Sequence, residues 1–289
     1  MARTSPKKRK PRKGKKSNRT LLFNPPAGTT HTEISRSLVN LINRCKTNNL
    51  RSVLRQALTS RAVQTVFPAR TYEISSLFKG AVLRGVKAPE DVVIFLCERI
   101  LAHSEEVSSE LKSIREIERS LMQEDKLAVR KKLDDHLVVY GISLWWIEKQ
   151  INAVYFESGV KGAGEEIDRL NAESENEFLS FMFNQFFMKR NFDSPKAFIN
   201  AVLSFLNEFR SGGLSEFADV LSSMLIPFEW DPKREPINHL YYISNAPIID
   251  QYLALKRALM DEILRDELKS IPDNAVISIR RVIHIMGIS

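Results

Sequence analysis

Arg130 and His136 form the pair of residues in this chain whose types and spacing best suit catalysis. Histidine exchanges a proton near neutral pH, and a carboxylate beside it raises the basicity of its imidazole. Asp134 and Asp135 directly precede His136 and could supply that carboxylate. The spacing predicts that Arg130 and His136 share one helix, on which the imidazole would act as a general base.

This spacing resembles the motif of helical HEPN-type ribonucleases, in which a short spacer separates an Arg from a His. Arg234 and His239 form a second such pair, but Pro236 lies between them and would break the helix that the pair needs. Arg130 and His136 are therefore the better match. The resemblance implies a ribonuclease that uses these two residues.

A non-catalytic interpretation of the same pair competes with the ribonuclease. Pairs with this spacing arise by chance in a chain with many arginines, so the match carries little weight by itself. Leu133 and Leu137 lie beside the pair and belong to an apolar seam. We favour the interpretation that Arg130 and His136 lie on a solvated charged face next to that seam.

Acidic residues after position 164 are the next candidates, because carboxylates can bind a divalent cation. Their spacing matches no known calcium loop, and acids at a helix start are favoured by the helix dipole, so we interpret them as solvated. Cys45 and Cys97 are isolated and predicted to be free thiols, so no zinc site is expected. The chain also has no phosphate-binding glycine motif, and no cofactor is predicted. The acids are Glu165, Glu166, Asp168, Glu173, Glu175 and Glu177.

The first nineteen residues hold ten of the 43 Lys and Arg residues and no acid, so the remainder of the chain is formally −2. A segment this rich in cations and this poor in apolar residues cannot offset its chain entropy by burial, and we expect a disordered arm. Such an arm would bind DNA or RNA phosphates in a salt-dependent way. The predicted contacts are Lys7, Lys8, Arg9, Lys10, Arg12, Lys13, Lys15, Lys16 and Arg19.

The arm has two other interpretations. It could be a nuclear import address or a solubility segment, whereas a membrane surface is disfavoured because no apolar face accompanies the cations. The residues after the arm carry a slightly negative net charge, which argues against a deep basic groove in the folded body. Local basic patches, such as Arg51, Arg55 and Arg61, are still compatible with that net charge. We expect an intracellular protein, nuclear if eukaryotic and otherwise cytoplasmic.

The remaining sequence predicts an all-α fold of about ten helices, either a bundle or an irregular helical stack. Glycine and proline together make up only 23 of 289 residues, and few segments alternate apolar with polar residues. Thr30 with Glu33 predicts a capped first helix, and Pro89 and Pro195 mark later helix starts. We also expect a helix over 71–82. The most apolar runs are too short to cross a membrane.

The centre of the chain predicts one continuous helix through Gly141, because apolar residues from Leu133 to Val154 repeat with a coiled-coil spacing. Its seam would pack within the chain or against a second copy. The glycines between Ser158 and Gly164 suggest a boundary. We therefore divide the chain into an arm and linker (1–29) and two helical subdomains (30–157 and 158–289), or one continuous domain over both.

Together these features predict a non-enzymatic helical protein. Its basic arm contacts nucleic acid, and its body binds protein partners or itself, as in a nucleoprotein. The alternative is the helical ribonuclease with Arg130 and His136.

Overall fold

The protein is all-α, which confirms the predicted fold class. The computed structural model describes residues 23, 28–78, 83, 85–174, 176–213, 215–226, 240–264 and 277–282, so the basic arm and its predicted contacts lie outside the described residues. Within that part of the chain, ten helices have seven or more residues. The helices are α1 (His31–Arg44), α2 (Thr47–Leu58), α3 (Arg61–Val66), α4 (Pro89–Ala102), α5 (Ser104–Met122), α6 (Lys126–Tyr140), α7 (Leu144–Ser174), α8 (Glu177–Asn191), α9 (Pro195–Ser211), α10 (Ser215–Leu225), α11 (Leu240–Ile243), α12 (Ile248–Leu264) and a last helix over 277–282.

Helix starts follow their predicted caps. The Thr30 hydroxyl accepts the backbone N–H of Glu33, and the Glu33 carboxylate accepts the backbone N–H of Thr30, which is a complete capping box. Pro89 begins α4, and Ser194 caps α9 ahead of Pro195. These local signals placed the helix starts correctly because each needs only four consecutive residues.

The predicted helix over 71–82 was wrong in its described part, 71–78. Only a single 3₁₀ turn forms there, at Ile74–Ser76. The segment of residues 67–71 is not helical and uses its backbone carbonyls for partners on other elements. Thr71 O accepts the N–H of Ile142, and Ala69 O accepts the N–H of Ile248. A helix that began at Thr71 would use the Thr71 carbonyl within the helix and withdraw it from Ile142.

The central helix was also predicted wrongly, because it breaks at Gly141. The backbone of Gly141 has φ +81°, and a Cβ on it would meet the carbonyl oxygen of Thr71 at 2.2 Å. The break separates α6 from α7 and splits the apolar seam between them. As a result, Val138 is 77% exposed although Ile142 and Trp145 are buried.

Helix α7 passes through the proposed subdomain boundary with a kink. Gly159 has φ +67° and ψ −162° inside a helix that otherwise extends to Ser174. A single buried apolar core contains residues from both sides of this position, for example Phe95 on α4 and Ile249 on α12. No described helix has the length and apolar character that a bilayer crossing requires.

Arg99 links α4 to the 67–71 segment and to the end of α11. Its side chain is fully buried, and it donates hydrogen bonds to the carbonyl oxygens of Phe67 and Ser244, each at 2.9 Å, and of Pro68 at 2.8 Å. Burial lowers the pKa of Arg99 to about 9. The 67–71 segment is thus held at both ends by the helical core.

Candidate anion-binding cleft

A cleft of about 540 Å³ opens where five helices approach one another. The first turns of α7, the end of α8, the start of α9, the end of α10 and one turn of α12 form its walls. Four cationic side chains and a single carboxylate line it, which gives the lining a net charge of +3. These residues are Lys149, Lys189, Arg190, Arg257 and Glu148.

Helix α8 brings two of the cations to the cleft. Its start is fixed by Asn176, whose side chain accepts the N–H of Phe178 at 3.0 Å, and its buried face includes Phe183. Lys189 and Arg190 occupy the last turn, where the helix dipole favours positive charge. Two cations at this position therefore do not destabilise α8, and both charged groups lie at the wall of the cleft.

Lys189 and Lys149 line the cleft, and each lies close to a carboxylate. The Lys189 Nζ lies 2.9 Å from Glu148 Oε1, and 51% of the Lys189 side chain remains exposed. The Lys149 Nζ lies 3.7 Å from Glu118 Oε1 and 5.8 Å from the centre of the Trp145 ring. Both ammonium groups have donors left for a third partner, since each carries three N–H bonds.

The two arginines are anchored at one side of the guanidinium. Arg190 Nε donates to Asn152 Oδ1 at 2.8 Å, and one terminal nitrogen of Arg257 donates to the carbonyls of Ser223 and Met224. Within the described part of the chain, the other guanidinium nitrogens of these two residues have no acceptor. Each arginine is therefore oriented by the protein and still able to bind an anion.

Glu148 reports the sign of the local potential. Burial alone would raise the pKa of Glu148, but the charges of Lys189, Lys149 and Arg257 outweigh that effect and hold the pKa below its ordinary value. Cations that stabilise one carboxylate will also stabilise the phosphate or carboxylate of a ligand. The cleft is thus electrostatically suited to an anion.

A smaller chamber of about 100 Å³ adjoins the cleft, and Glu148, Met224 and Arg257 line both spaces. Its remaining lining is mostly apolar and includes the rings of Trp145 and Phe186. Its charged lining residues are Glu148, Asp250 and Arg257.

Asp250 on α12 lines the smaller chamber and caps α7. Its two carboxylate oxygens accept the backbone N–H groups of Leu144 at 2.8 Å and Trp145 at 3.2 Å. Burial raises the pKa of Asp250 to about 7, against the effect of those hydrogen bonds and with help from the charge of Glu110. The carboxyl therefore changes charge near neutral pH.

Neither Arg130 nor His136 lines the cleft, and the two residues have separate partners. The Arg130 Nε lies 3.8 Å from Asp134, and its charge helps to lower the pKa of Glu166 on α7. His136 instead faces α5, where its Nδ1 lies 3.0 Å from Ser113 Oγ and its Nε2 lies 3.4 Å from Glu110 Oε1. The ribonuclease based on this pair stays a prediction.

The solvated face was the wrong interpretation for His136. Its side chain is buried, and it packs beside the rings of Tyr140 and Trp145 with centroids 4.8 and 5.3 Å away. The break at Gly141 turns α7 back so that Trp145 can reach His136, and this fold-back could not be seen in a sequence read as one continuous helix. Arg130 and Asp134 are partly exposed, as expected for such a face.

Three of the acidic residues after position 164 pair with cations: Glu165 with Lys161, and Glu166 and Glu173 with Arg169. Glu177 lies in the first turn of α8, which confirms its predicted place at a helix start, and Glu175 lies outside the described residues. Arg169 binds Glu166 at 2.7 Å and Glu173 at 2.6 Å. Glu165 and Asp168 are exposed, and they lie beyond the first turn that follows the kink at Gly159, so their expected place at a helix start was wrong. No group of three or more potential metal ligands occurs among the described residues.

The cleft itself was missed by the sequence analysis, which expected no deep basic groove. Lys149, Lys189 and Arg257 are 40 and 68 residues apart along the chain, so only the fold brings them together. The adjacent Lys189 and Arg190 at the end of an apolar helix were the one visible signal. The chain matches no protein-family model, no curated protein and no solved structure.

Proposed function

We propose that this protein binds nucleic acid through two basic regions, the arm (Met1–Arg19) and the cleft between α7, α8 and α12. The observation that supports the proposal is the cleft lining, in which four cations surround one carboxylate. Lys and Arg side chains that retain free donors are the usual partners of backbone phosphates. The arm adds a second source of sequence-independent affinity.

A polymer fits the arrangement better than a single small anion. The cations lie along the mouth of an open space of about 540 Å³ and come from three different helices. Successive phosphates of one strand can each meet a different cation there, and each contact releases condensed counterions. The arm would first attract a nucleic-acid strand, and the cleft would then fix the orientation and position of that strand on the folded body.

A charge-matched pair of double variants tests the cleft in the full-length protein. Lys189→Gln with Arg190→Gln removes two cations from the cleft, and Lys131→Gln with Lys161→Gln removes two exposed cations elsewhere. Binding of labelled single-stranded RNA, single-stranded DNA and duplexes is measured by fluorescence anisotropy over a salt series. We expect the cleft variant to lose about tenfold in affinity at low salt and to show a salt slope shallower by about 1 to 2.

The outcome separates the two regions. If both double variants lose affinity equally, the cleft has no special role and the proposal for the body is wrong. A version lacking residues 1–19 tests the arm in the same assay. Loss of all binding in that version, together with an unaffected cleft variant, would assign the whole affinity to the arm.

A further inference from the structure

The side chains that line the anion-binding cleft form two walls of different chemistry. The side chains from α7, α8 and α12 are all charged or polar and form the charged wall: Glu148, Lys149, Asn152, Lys189, Arg190 and Arg257. The side chains from α9, from α10 and from the residue after α10 are all apolar and form the apolar wall: Pro195, Phe198, Ile199, Met224, Leu225 and Ile226.

Each wall belongs mainly to a different pair of packed helices. Helix α7 packs against α8, and Arg190 of α8 donates to Asn152 of α7 at 2.8 Å on the charged wall. Helix α9 packs against α10, and together they supply the apolar wall. Arg257 of α12 joins the two pairs, because it donates to the carbonyl of Met224 at 2.7 Å. A ligand in the cleft therefore meets cations from one helix pair and apolar groups from the other.

We propose that the cleft binds a short stretch of single-stranded nucleic acid, with its phosphates against the charged wall and its bases against the apolar wall. The inference rests on the proposed function and specifies its substrate class. A single strand carries its charge along the backbone, and its unpaired bases are free to turn toward an apolar surface. The bases of a duplex are paired and stacked inside it, so they do not reach α9 and α10.

The volume and the charge of the cleft both suit a stretch of a few nucleotides. The cleft offers about 540 Å³, whereas a cavity of roughly 150 Å³ holds a benzene ring, so roughly one or two bases have room in it. The net charge of +3 in its lining matches about three phosphates, which carry one charge each. A fatty-acid anion also has a charged and an apolar part, but its single carboxylate would leave most of these cations without a partner.

The apolar wall can hold bases without distinguishing among them. Pro195 is exposed and Met224 is half-buried, so these two residues supply most of the accessible surface, and the other four are buried behind them. None of the six side chains carries an N–H or O–H donor that could select a base edge. We therefore expect an affinity that depends on the presence of bases and only weakly on their identity.

Two DNA strands of equal charge test the inference on the full-length protein. One strand has ten thymidines, and the other has the same backbone with abasic sites at its four central positions. The arm (Met1–Arg19) has no aromatic residue on which a base could stack, so it should treat the two strands alike. We expect the abasic strand to bind about tenfold more weakly than the thymidine strand. Equal affinities would overturn the inference, and displacement of both strands by dodecanoate would then assign the apolar wall to an acyl chain.

A substitution on the apolar wall locates the contact with the bases. Met224→Gln keeps the length of the side chain and makes it polar, so the thymidine strand should bind more weakly and come within about threefold of the abasic strand. Met188→Gln is the matched control, because Met188 is 40% exposed on α8 and belongs to neither wall. The control should keep the full difference between the strands. If Met224→Gln also keeps it, the bases lie elsewhere and the inference is wrong.

The proposed function is judged by a separate measurement. Loss of affinity in the Lys189 and Arg190 double variant, relative to its control, supports the cleft as a phosphate site whether or not the two strands differ. The further inference adds that this loss is larger for the thymidine strand than for a duplex of the same length. An equal loss for the duplex would overturn the inference and leave the proposed function standing.

Discussion

The 67–71 segment and the anion-binding cleft are both rich in polar groups, but they use them in opposite ways. In the segment, the carbonyls of Phe67 and Pro68 accept hydrogen bonds from the buried Arg99, and those of Ala69 and Thr71 accept backbone N–H groups. In the cleft, Lys189 and Arg190 are exposed, and each makes one internal polar contact and keeps its other donors.

This difference in burial and in unused donors distinguishes a cation that stabilises the fold from a cation that is available to a ligand. A buried guanidinium that donates to three carbonyls serves the fold, and removing it leaves those carbonyls without their partners. An exposed cation with unused donors contributes little to stability and remains available for binding. Exposure and remaining donors, more than residue type, therefore indicate which cations of this protein are available to an anion.

The largest effect is expected at Arg99. Arg99→Met should lower the free energy of unfolding by about 3 to 5 kcal/mol, because three carbonyls lose a charged donor in a buried place. Arg190→Met removes an exposed cation of the cleft and should change it by less than about 1 kcal/mol. Urea denaturation of both variants measures the contrast, and similar losses would erase the distinction drawn here.

A glycine substitution tests the packing of the 67–71 segment against α6. Gly141→Ala places a Cβ 2.2 Å from Thr71 O at a residue with φ +81°, and we expect a loss of about 2 kcal/mol or more. Gly164→Ala is the matched control, since a Cβ there meets nothing within 4 Å inside α7. The control should be neutral or stabilising by up to about 1 kcal/mol. Thermal melts of the two variants measure the difference in stability. An unchanged melting temperature for Gly141→Ala would show that the Thr71 backbone can move away from the added Cβ at little cost.

Asp250 combines a role in the fold with a place at a cavity, because it caps α7 and also lines the smaller chamber beside the cleft. Its pKa is raised from 3.8 to about 7 in the folded protein, so the folded state holds the proton more tightly than the unfolded state does. Its contribution to stability is therefore greatest below about pH 4 and declines as the pH rises to about 7, by up to about 1.4 kcal/mol per pH unit.

Asp250→Asn removes this titration and should flatten the dependence of stability on pH between 4 and 7. The side-chain amide also places an N–H group opposite one of the two backbone donors, which lowers stability by an amount that does not vary with pH. Urea unfolding at several pH values measures both effects. Parallel curves for the wild type and the variant would contradict the assigned titration.

The smallest effect is expected in the cleft. Lys189→Gln removes the pair with Glu148, yet the Lys189 side chain is half exposed, so the free energy of unfolding should change by about 0.5 kcal/mol or less. The same variant should bind single-stranded nucleic acid measurably more weakly at low salt. A stability loss above about 1 kcal/mol without a change in affinity would reassign Lys189 to the fold.

The helices were largely predictable from sequence, whereas the cleft was not. Caps such as Thr30 with Glu33 and helix starts such as Pro195 are short-range signals, and the structure confirms them. The break at Gly141 was missed because its cause is a distant carbonyl, that of Thr71. The cleft needs Lys149, Lys189 and Arg257 to converge, which depends on helix packing and has no local pattern.

The polar contacts of the 67–71 segment also fix an order of events during synthesis. Arg99 needs Ser244, which lies 145 residues later, and Ala69 O needs the N–H of Ile248. Until those residues leave the ribosome, the guanidinium and the carbonyl must remain hydrated, so α4 cannot settle into its final place. Ser244 and Ile248, at the end of α11 and the start of α12, thus complete the packing around α4, and contacts this distant in sequence are expected to form slowly.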